Sequence, residues 1–201
     1  MSDEIDRKHQ ERMVRVNEAY EKQLASADRE KGLVIVHTGA GKGKSTAAFG
    51  MAVRALGQGM KVGIVQFIKG DIPTGEGAFF ANLNLPVEMH TMGEGYTWKT
   101  QDRQRDIATA ERGWAKAVEL IRDPSFNMVI LDELNIALQY EYIPMQTVLD
   151  ELAAKREMLH VVITGRNAKP ELIEAADLVS EMKVIKHPYH HGIKPQPGVE
   201  F

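Results

Sequence analysis

From Leu33 onward the chain alternates short apolar runs with longer segments of helical periodicity. The apolar runs fall at 33–36, 62–68, 87–89, 128–131, 161–163 and 179–185. Near-continuous apolar runs spaced by helix-length segments predict strands buried on both faces and joined by crossover helices, the pattern of a parallel sheet. The intervening helices are expected at 44–56, 102–122, 144–155 and 170–175, with Gly57, Gly59 and Pro124 as stop signals. Residues 187–201 hold three of the eight prolines and two glycines and predict an extended surface tail. The first 31 residues are different: seven Lys or Arg, eight Asp or Glu and no proline, with Met13, Val16, Tyr20 and Leu24 at helical spacing. They predict a long, mostly solvated helix, either a packing or dimer arm or a lid over a ligand site.

Composition narrows the classes. At 201 residues, 43% hydrophobic and 26% charged, the chain suits one domain plus an appendage and is not disordered. No apolar run exceeds four residues, and the charged N-terminus lacks a signal-peptide apolar region, so a cytoplasmic, membrane-free protein is expected. With no cysteine there is no disulfide, thiolate zinc site or Fe–S cluster, and redox chemistry must come from a bound partner. A net charge of −3 provides no global attraction to nucleic acid, and none is expected as a partner.

The strongest chemical signal is Thr38-Gly39-Ala40-Gly41-Lys42-Gly43-Lys44-Ser45-Thr46, between the first expected strand and the first expected helix. Glycines let the backbone curl so that successive N–H groups point inward, and the helix aims its positive end at the same anion. Lys44 would reach a phosphate oxygen, and the Ser45 hydroxyl would help hold Mg²⁺. The strict phosphate-loop pattern has Gly where Thr38 stands. Farther along, the apolar run 128–131 ends in Asp132-Glu133, two carboxylates placed to bind Mg²⁺ directly or through water. ATP binding alone leaves open a kinase, a phosphohydrolase, a nucleotidyl or adenosyl transferase, and a RecA-like binding module with stacking aromatics. Tyr96 and Trp98, set among glycines in the loop 92–100, suit either a cover for a flat hydrophobic ligand or packing back on the sheet. His187, His190 and His191 have no rigid element to set a metal geometry.

Taken with Val65-Gln66-Phe67-Ile68-Lys69-Gly70, Leu131-Asp132-Glu133-Leu134, Ile163-Thr164-Gly165-Arg166 and Val184-Ile185-Lys186-His187, these segments closely resemble the P-loop family of ATP:corrinoid adenosyltransferases over nearly the whole chain. The family's typical Thr-Gly-x-Gly-Lys-Gly-Lys loop accounts for Thr38. Ala40 stands where Asn is frequent, and Ser45 where Thr is frequent, but the Ala40 N–H and the Ser45 hydroxyl are retained. The resemblance implies a three-layer, RecA-like α/β domain with a mainly parallel sheet at 32–201, behind a helical arm at 1–31.

It further implies that a cobalt(I) corrinoid attacks the ribose 5′-carbon of ATP and expels inorganic triphosphate, with ATP reversed relative to ordinary P-loop enzymes. Lys44, Lys42, the loop N–H groups and Mg²⁺ or Mn²⁺ would stabilise the leaving group. Tyr96 and Trp98 would wedge against the lower corrin face, displacing the axial base so that cobalt(II) is easier to reduce. Phe is common where Tyr96 stands. Glu76 is expected in a loop near the ribose hydroxyls, and Arg166 near the nucleotide or a subunit interface. A homodimer and an external electron donor, a reduced flavin or flavodoxin, complete the expectation.

Overall fold

The computed structural model describes residues 2–68, 70, 74–82, 84–93 and 102–200. It divides into two compact units, Met1–Lys31 and Gly32–Phe201. The first holds α1 (Ser2–Ala25), with acidic residues in its first turn and Lys22 in its last, which complements the helix dipole. A Glu4–Lys8 ion pair of 2.9 Å and an Asn17–Glu21 hydrogen bond of 2.9 Å run at i,i+4 along it.

The second unit runs β1 (Val34–Thr38), α2 (Lys44–Gly57), β2 (Val62–Gln66), α3 (Gly75–Ala81), β3 (Val87–Thr91), α4 (Arg103–Arg122), β4 (Met128–Asp132), α5 (Leu134–Gln139), α6 (Met145–Ala153), β5 (His160–Thr164), α7 (Pro170–Ala175) and β6 (Leu178–Glu181). The six strands form one sheet in the order β3-β2-β4-β5-β1-β6, and every pairing is parallel. Burial on both faces explains why β1, β2, β4 and β5 read as continuous apolar runs, whereas the edge strands β3 and β6 are exposed or half-buried. Alternate side chains point to opposite faces. Val34, Val36, Val129, Leu131, Val161 and Ile163 meet Trp114, Leu120, Leu138, Val148 and Leu172 in one apolar layer. Ile35, Ile64, Ile130 and Val162 meet Ala48, Phe49, Ala52 and Phe80 in the other. The architecture is therefore three-layered, as expected.

Four local expectations are corrected. The second strand stops at Gln66, not residue 68, with Phe67 and Ile68 turning into the core. Segment 75–81 is a helix where a loop was expected: the Thr74 hydroxyl accepts the Gly77 N–H at 3.1 Å, and Phe80 buries edge-on against Phe49. The last strand ends at Glu181, not residue 185. There the chain leaves the ladder, because the Met182 carbonyl turns to accept the Gly41 N–H at 2.6 Å. The tail is also not simply extended. It forms a 3₁₀ turn at Pro188–His191, closed by Gly192 at φ 72°, and a second turn in which the Val199 and Glu200 N–H groups both donate to the Gln196 carbonyl. Among the described residues no helix is long and apolar enough to cross a membrane.

Phe126 anchors the entry to β4. It is 1% exposed and lies beneath the Lys61 ammonium, 4.0 Å from the ring centre. Phe126→Ala is expected to cost about 3–5 kcal/mol in urea unfolding. A loss below about 1 kcal/mol would show that this ring does not carry the core packing assigned to it.

Candidate active site

The site forms at the carboxyl edge of the sheet, where strand ends and helix starts converge. Segment 39–43 joins β1 directly to α2, with Gly39 at φ 98° and Gly43 at φ 105°, both in the left-handed region that glycine tolerates. Gly39 and Gly41 are also required by space. A Cβ at Gly39 would lie 2.4 Å from the Met182 carbonyl oxygen, and one at Gly41 2.7 Å from the same atom. The loop thus lies against the strand-end backbone of β6.

Several of its polar groups already have partners within the protein. The Gly41 N–H is given to Met182, and the buried Lys44 ammonium donates to the Gly41 carbonyl at 2.6 Å. Lys42 pairs with Glu200 of the tail. The Thr38 hydroxyl accepts the Ala168 N–H at 3.0 Å, tying the loop strand to the segment after β5. Ala40, Gly43 and Thr46 are exposed, and Ser45 is half-buried.

Asp132 is 0% exposed at the end of β4, separated from β1 by β5. Its Oδ2 accepts Gln66 Nε2 at 2.9 Å and its Oδ1 accepts the Thr164 hydroxyl at 2.7 Å. The Thr164 oxygen in turn accepts the Glu133 N–H at 2.9 Å. Glu133 starts α5 in a left-handed conformation, φ 63°. Asn135 holds the Gly165 carbonyl at 2.9 Å, and the Gly165 N–H reaches the His37 carbonyl at 3.2 Å. The end of β5 therefore links the loop strand to the acidic strand.

The charges converge on Lys44. Burial pulls its pKa below the ordinary lysine value; Glu133 opposes this, Arg166 and Lys42 add to it, and Asp132 opposes it. A lowered folded pKa means that the unfolded chain holds this proton more tightly. The ammonium thus costs stability at neutral pH, and the cost fades as pH rises through the lowered value. His37, 6% exposed just before the loop, is held below the usual imidazole value by burial, and its ring nitrogens have no hydrogen-bond partner among the described residues.

The structure brings Lys42, Lys44, Arg166, Asp132 and Glu133 into one electrostatic neighbourhood. Glu76 is not among the charges acting on Lys44; it sits half-buried in the first turn of α3, after β2, and not in a loop. Tyr96 and Trp98 lie outside the described residues. Gln66 and Thr164 stood in recognisable segments, but nothing local to the sequence paired them with Asp132. Glu200 carried no signal at all, since its partner is 158 positions away. The Ser45 hydroxyl and the Asp132 and Glu133 carboxylates are hard oxygen donors of the kind Mg²⁺ takes.

A parallel sheet with a glycine loop and lysine at the start of α2, and a buried carboxylate one strand away, defines a phosphate-loop nucleotide-binding domain. The family model for ATP:corrinoid adenosyltransferase BtuR/CobO/CobP matches residues 30–201. The chain belongs to that ATP:corrinoid adenosyltransferase family. A corrinoid adenosyltransferase of Pseudomonas aeruginosa is 54% identical over 200 residues, covering 100% of this chain and 98% of its own. One from Sinorhizobium sp is 53% identical over 98% of this chain and 92% of its own, and one from Escherichia coli K12 is 44% identical over 98% and 99%.

Thr164→Val keeps the shape but leaves Asp132 short of a donor and the Glu133 N–H short of an acceptor. A loss of about 1–3 kcal/mol in urea unfolding is expected; an unchanged midpoint would show the hydroxyl to be dispensable. Polyphosphate bound beside Lys44 should raise its pKa, so Mg·ATP binding takes up protons at alkaline pH. Calorimetry in buffers of different ionisation enthalpy checks this, and a buffer-independent heat would refute it.

Proposed function

We propose that this chain transfers the 5′-deoxyadenosyl group of ATP to the cobalt of a reduced corrinoid, cob(I)alamin or a relative, and releases inorganic triphosphate. The observation that carries the reading is the convergence of Lys44, Arg166 and the Asp132-Glu133 pair at one sheet edge, in a chain of the adenosyltransferase family. The cobalt(I) lone pair attacks the ribose 5′-carbon and the bond from that carbon to the bridging oxygen breaks. The bonding pair leaves with triphosphate, and cobalt becomes formally cobalt(III). Substitution at carbon releases no proton from the nucleophile, so it needs no general base.

The protein's task is to hold the leaving anion and exclude water. Lys44 and Lys42 supply positive charge, and 38–46 the loop backbone. Ser45, Asp132 and Glu133 would hold Mg²⁺ or Mn²⁺, which when bound supplies further charge neutralisation of the polyphosphate. Arg166 contacts the nucleotide from the end of β5, and Glu76 approaches the ribose hydroxyls from α3. Tyr96 and Trp98 cover the lower corrin face and exclude the axial base, favouring reduction of cobalt(II) by an external reduced flavin or flavodoxin. Residues 1–31 form an arm that closes over the corrinoid in a homodimer, and 32–201 bind ATP and corrinoid. The chain works in the cytoplasm, in adenosylcobalamin synthesis or corrinoid salvage.

The test is anaerobic: protein, Mg·ATP and chemically reduced cob(I)alamin, with the visible spectrum followed and the phosphate product identified. A light-sensitive alkylcobalamin spectrum with one triphosphate per turnover is expected; ADP or single phosphate without a cobalt spectral change would overturn the reading. Lys44→Ala should lower kcat/KM about 10²–10³-fold. Trp98→Ala should impair the reaction that starts from cobalt(II) and largely spare that from preformed cobalt(I). Equal losses in both assays would remove the role given to Trp98.

A further inference from the structure

The C-terminal tail does more than cross the surface. Its two turns fold it back beside the phosphate loop and border an open cleft of about 410 Å³ lined by Lys42, Arg166, His187, Tyr189, His190 and Glu200. Lys42 and Arg166 are cations, and beside them the His187 and His190 rings, with centres 5.7 Å apart, offer imidazole nitrogens. Glu200 is the one carboxylate among the described lining residues, and it holds Lys42 with its side chain only 12% exposed.

This is an unusual balance for a protein with more acidic than basic residues. Like charges gathered around a cleft repel one another unless an anion enters it. The same crowding is felt by His187, held below the usual imidazole value first by desolvation and then by Lys42, His190 and Arg166. Glu200 neutralises one of these charges, and the cleft offers room beside it.

We propose that the tail completes the phosphate site: Lys42, Arg166, His187 and His190 form a subsite for the polyphosphate chain, and Glu200 is its internal counter-ion, displaced when polyphosphate enters. This deepens the nucleotide-loop reading and rests on it. A polyphosphate brings several negative charges to the ammonium that Glu200 holds, so the carboxylate is repelled as the anion binds. The final turn, in which the Val199 and Glu200 N–H groups share the Gln196 carbonyl, then loses its anchor at Lys42. Glu200 thereby competes with substrate on entry and helps expel triphosphate after the transfer.

The test uses the full chain and calorimetric titration with Mg·ATP and with inorganic triphosphate. Glu200→Gln keeps the shape and removes the charge; it is expected to bind triphosphate about two- to five-fold tighter, the range of a partly exposed ion pair. In a Lys42→Gln background the same change should have a smaller effect, because the pair is gone and only the repulsion between Glu200 and polyphosphate remains; an equal effect in both backgrounds would overturn the counter-ion role. In the unmodified chain, hydrogen exchange of residues 196–200 should quicken on adding triphosphate, a readout that stands even where a variant fails to fold. Unchanged or weaker triphosphate binding by Glu200→Gln, or slower exchange in the tail, would overturn the counter-ion role while Mg·ATP binding still upheld the loop. Failure of the unmodified chain to bind either anion would overturn the loop reading itself, and the tail proposal with it.

Discussion

A carboxylate with no solvent exposure must be met on both oxygens, and Asp132 is met by the strands on either side of it. Gln66, its register partner on β2, donates to one oxygen, and Thr164 at the end of β5 donates to the other. An unpaired charge in that place would cost several kcal/mol, so the interaction favours one register across three strands. It also fixes the backbone beyond it, since the same Thr164 hydroxyl accepts the N–H of Glu133 in its left-handed conformation. The acidic corner, the end of β5 and the start of α5 are thereby one rigid unit.

The loop depends on that unit through β5. The Gly165 N–H meets the His37 carbonyl, and the Ala168 N–H meets the Thr38 hydroxyl, so the strand between the loop and the acidic corner is bonded to both. From the other side β6 presents Met182 to Gly39 and Gly41, where no side chain fits. The loop is thus clamped by neighbours that are themselves held, the preorganisation that an anion site requires. Its charges are answered internally as well, Lys44 by the Gly41 carbonyl and Lys42 by Glu200. On the proposed reading, polyphosphate binding is an exchange of partners, in which anionic contacts replace a carbonyl and a carboxylate.

This economy suits alkyl transfer to a metal-centred nucleophile. A hydrolase or kinase must manage a proton on its attacking oxygen, and such enzymes carry a base or a water-positioning group for it. Here the attacking lone pair carries no proton, and the catalytic burden falls on the leaving triphosphate. In the proposed mechanism two lysines, an arginine and a glycine loop carry that burden.

Much of this was legible along the chain. Strands buried on both faces leave continuous apolar runs, and a phosphate loop needs closely spaced glycines and a lysine at the seam of strand and helix; both are local patterns, so the parallel sheet, the position of the glycine loop between β1 and α2 and that of Asp132-Glu133 at a strand end could be read directly. The short helix at 75–81 was hidden by its two glycines, because its stability comes from the Thr74 cap and from Phe80 against Phe49. The end of β6 was hidden because the carbonyl that stops it answers an N–H about 140 residues earlier, a partner no local pattern names. The same holds for Gln66 and Thr164 on Asp132 and for Glu200 on Lys42. The sequence by itself determined which residues could carry phosphate chemistry, since that depends on side-chain type and local backbone freedom. Only the tertiary structure decided which groups satisfy them, since a buried charge takes the donor that folding brings within about 3 Å, however distant it is along the chain.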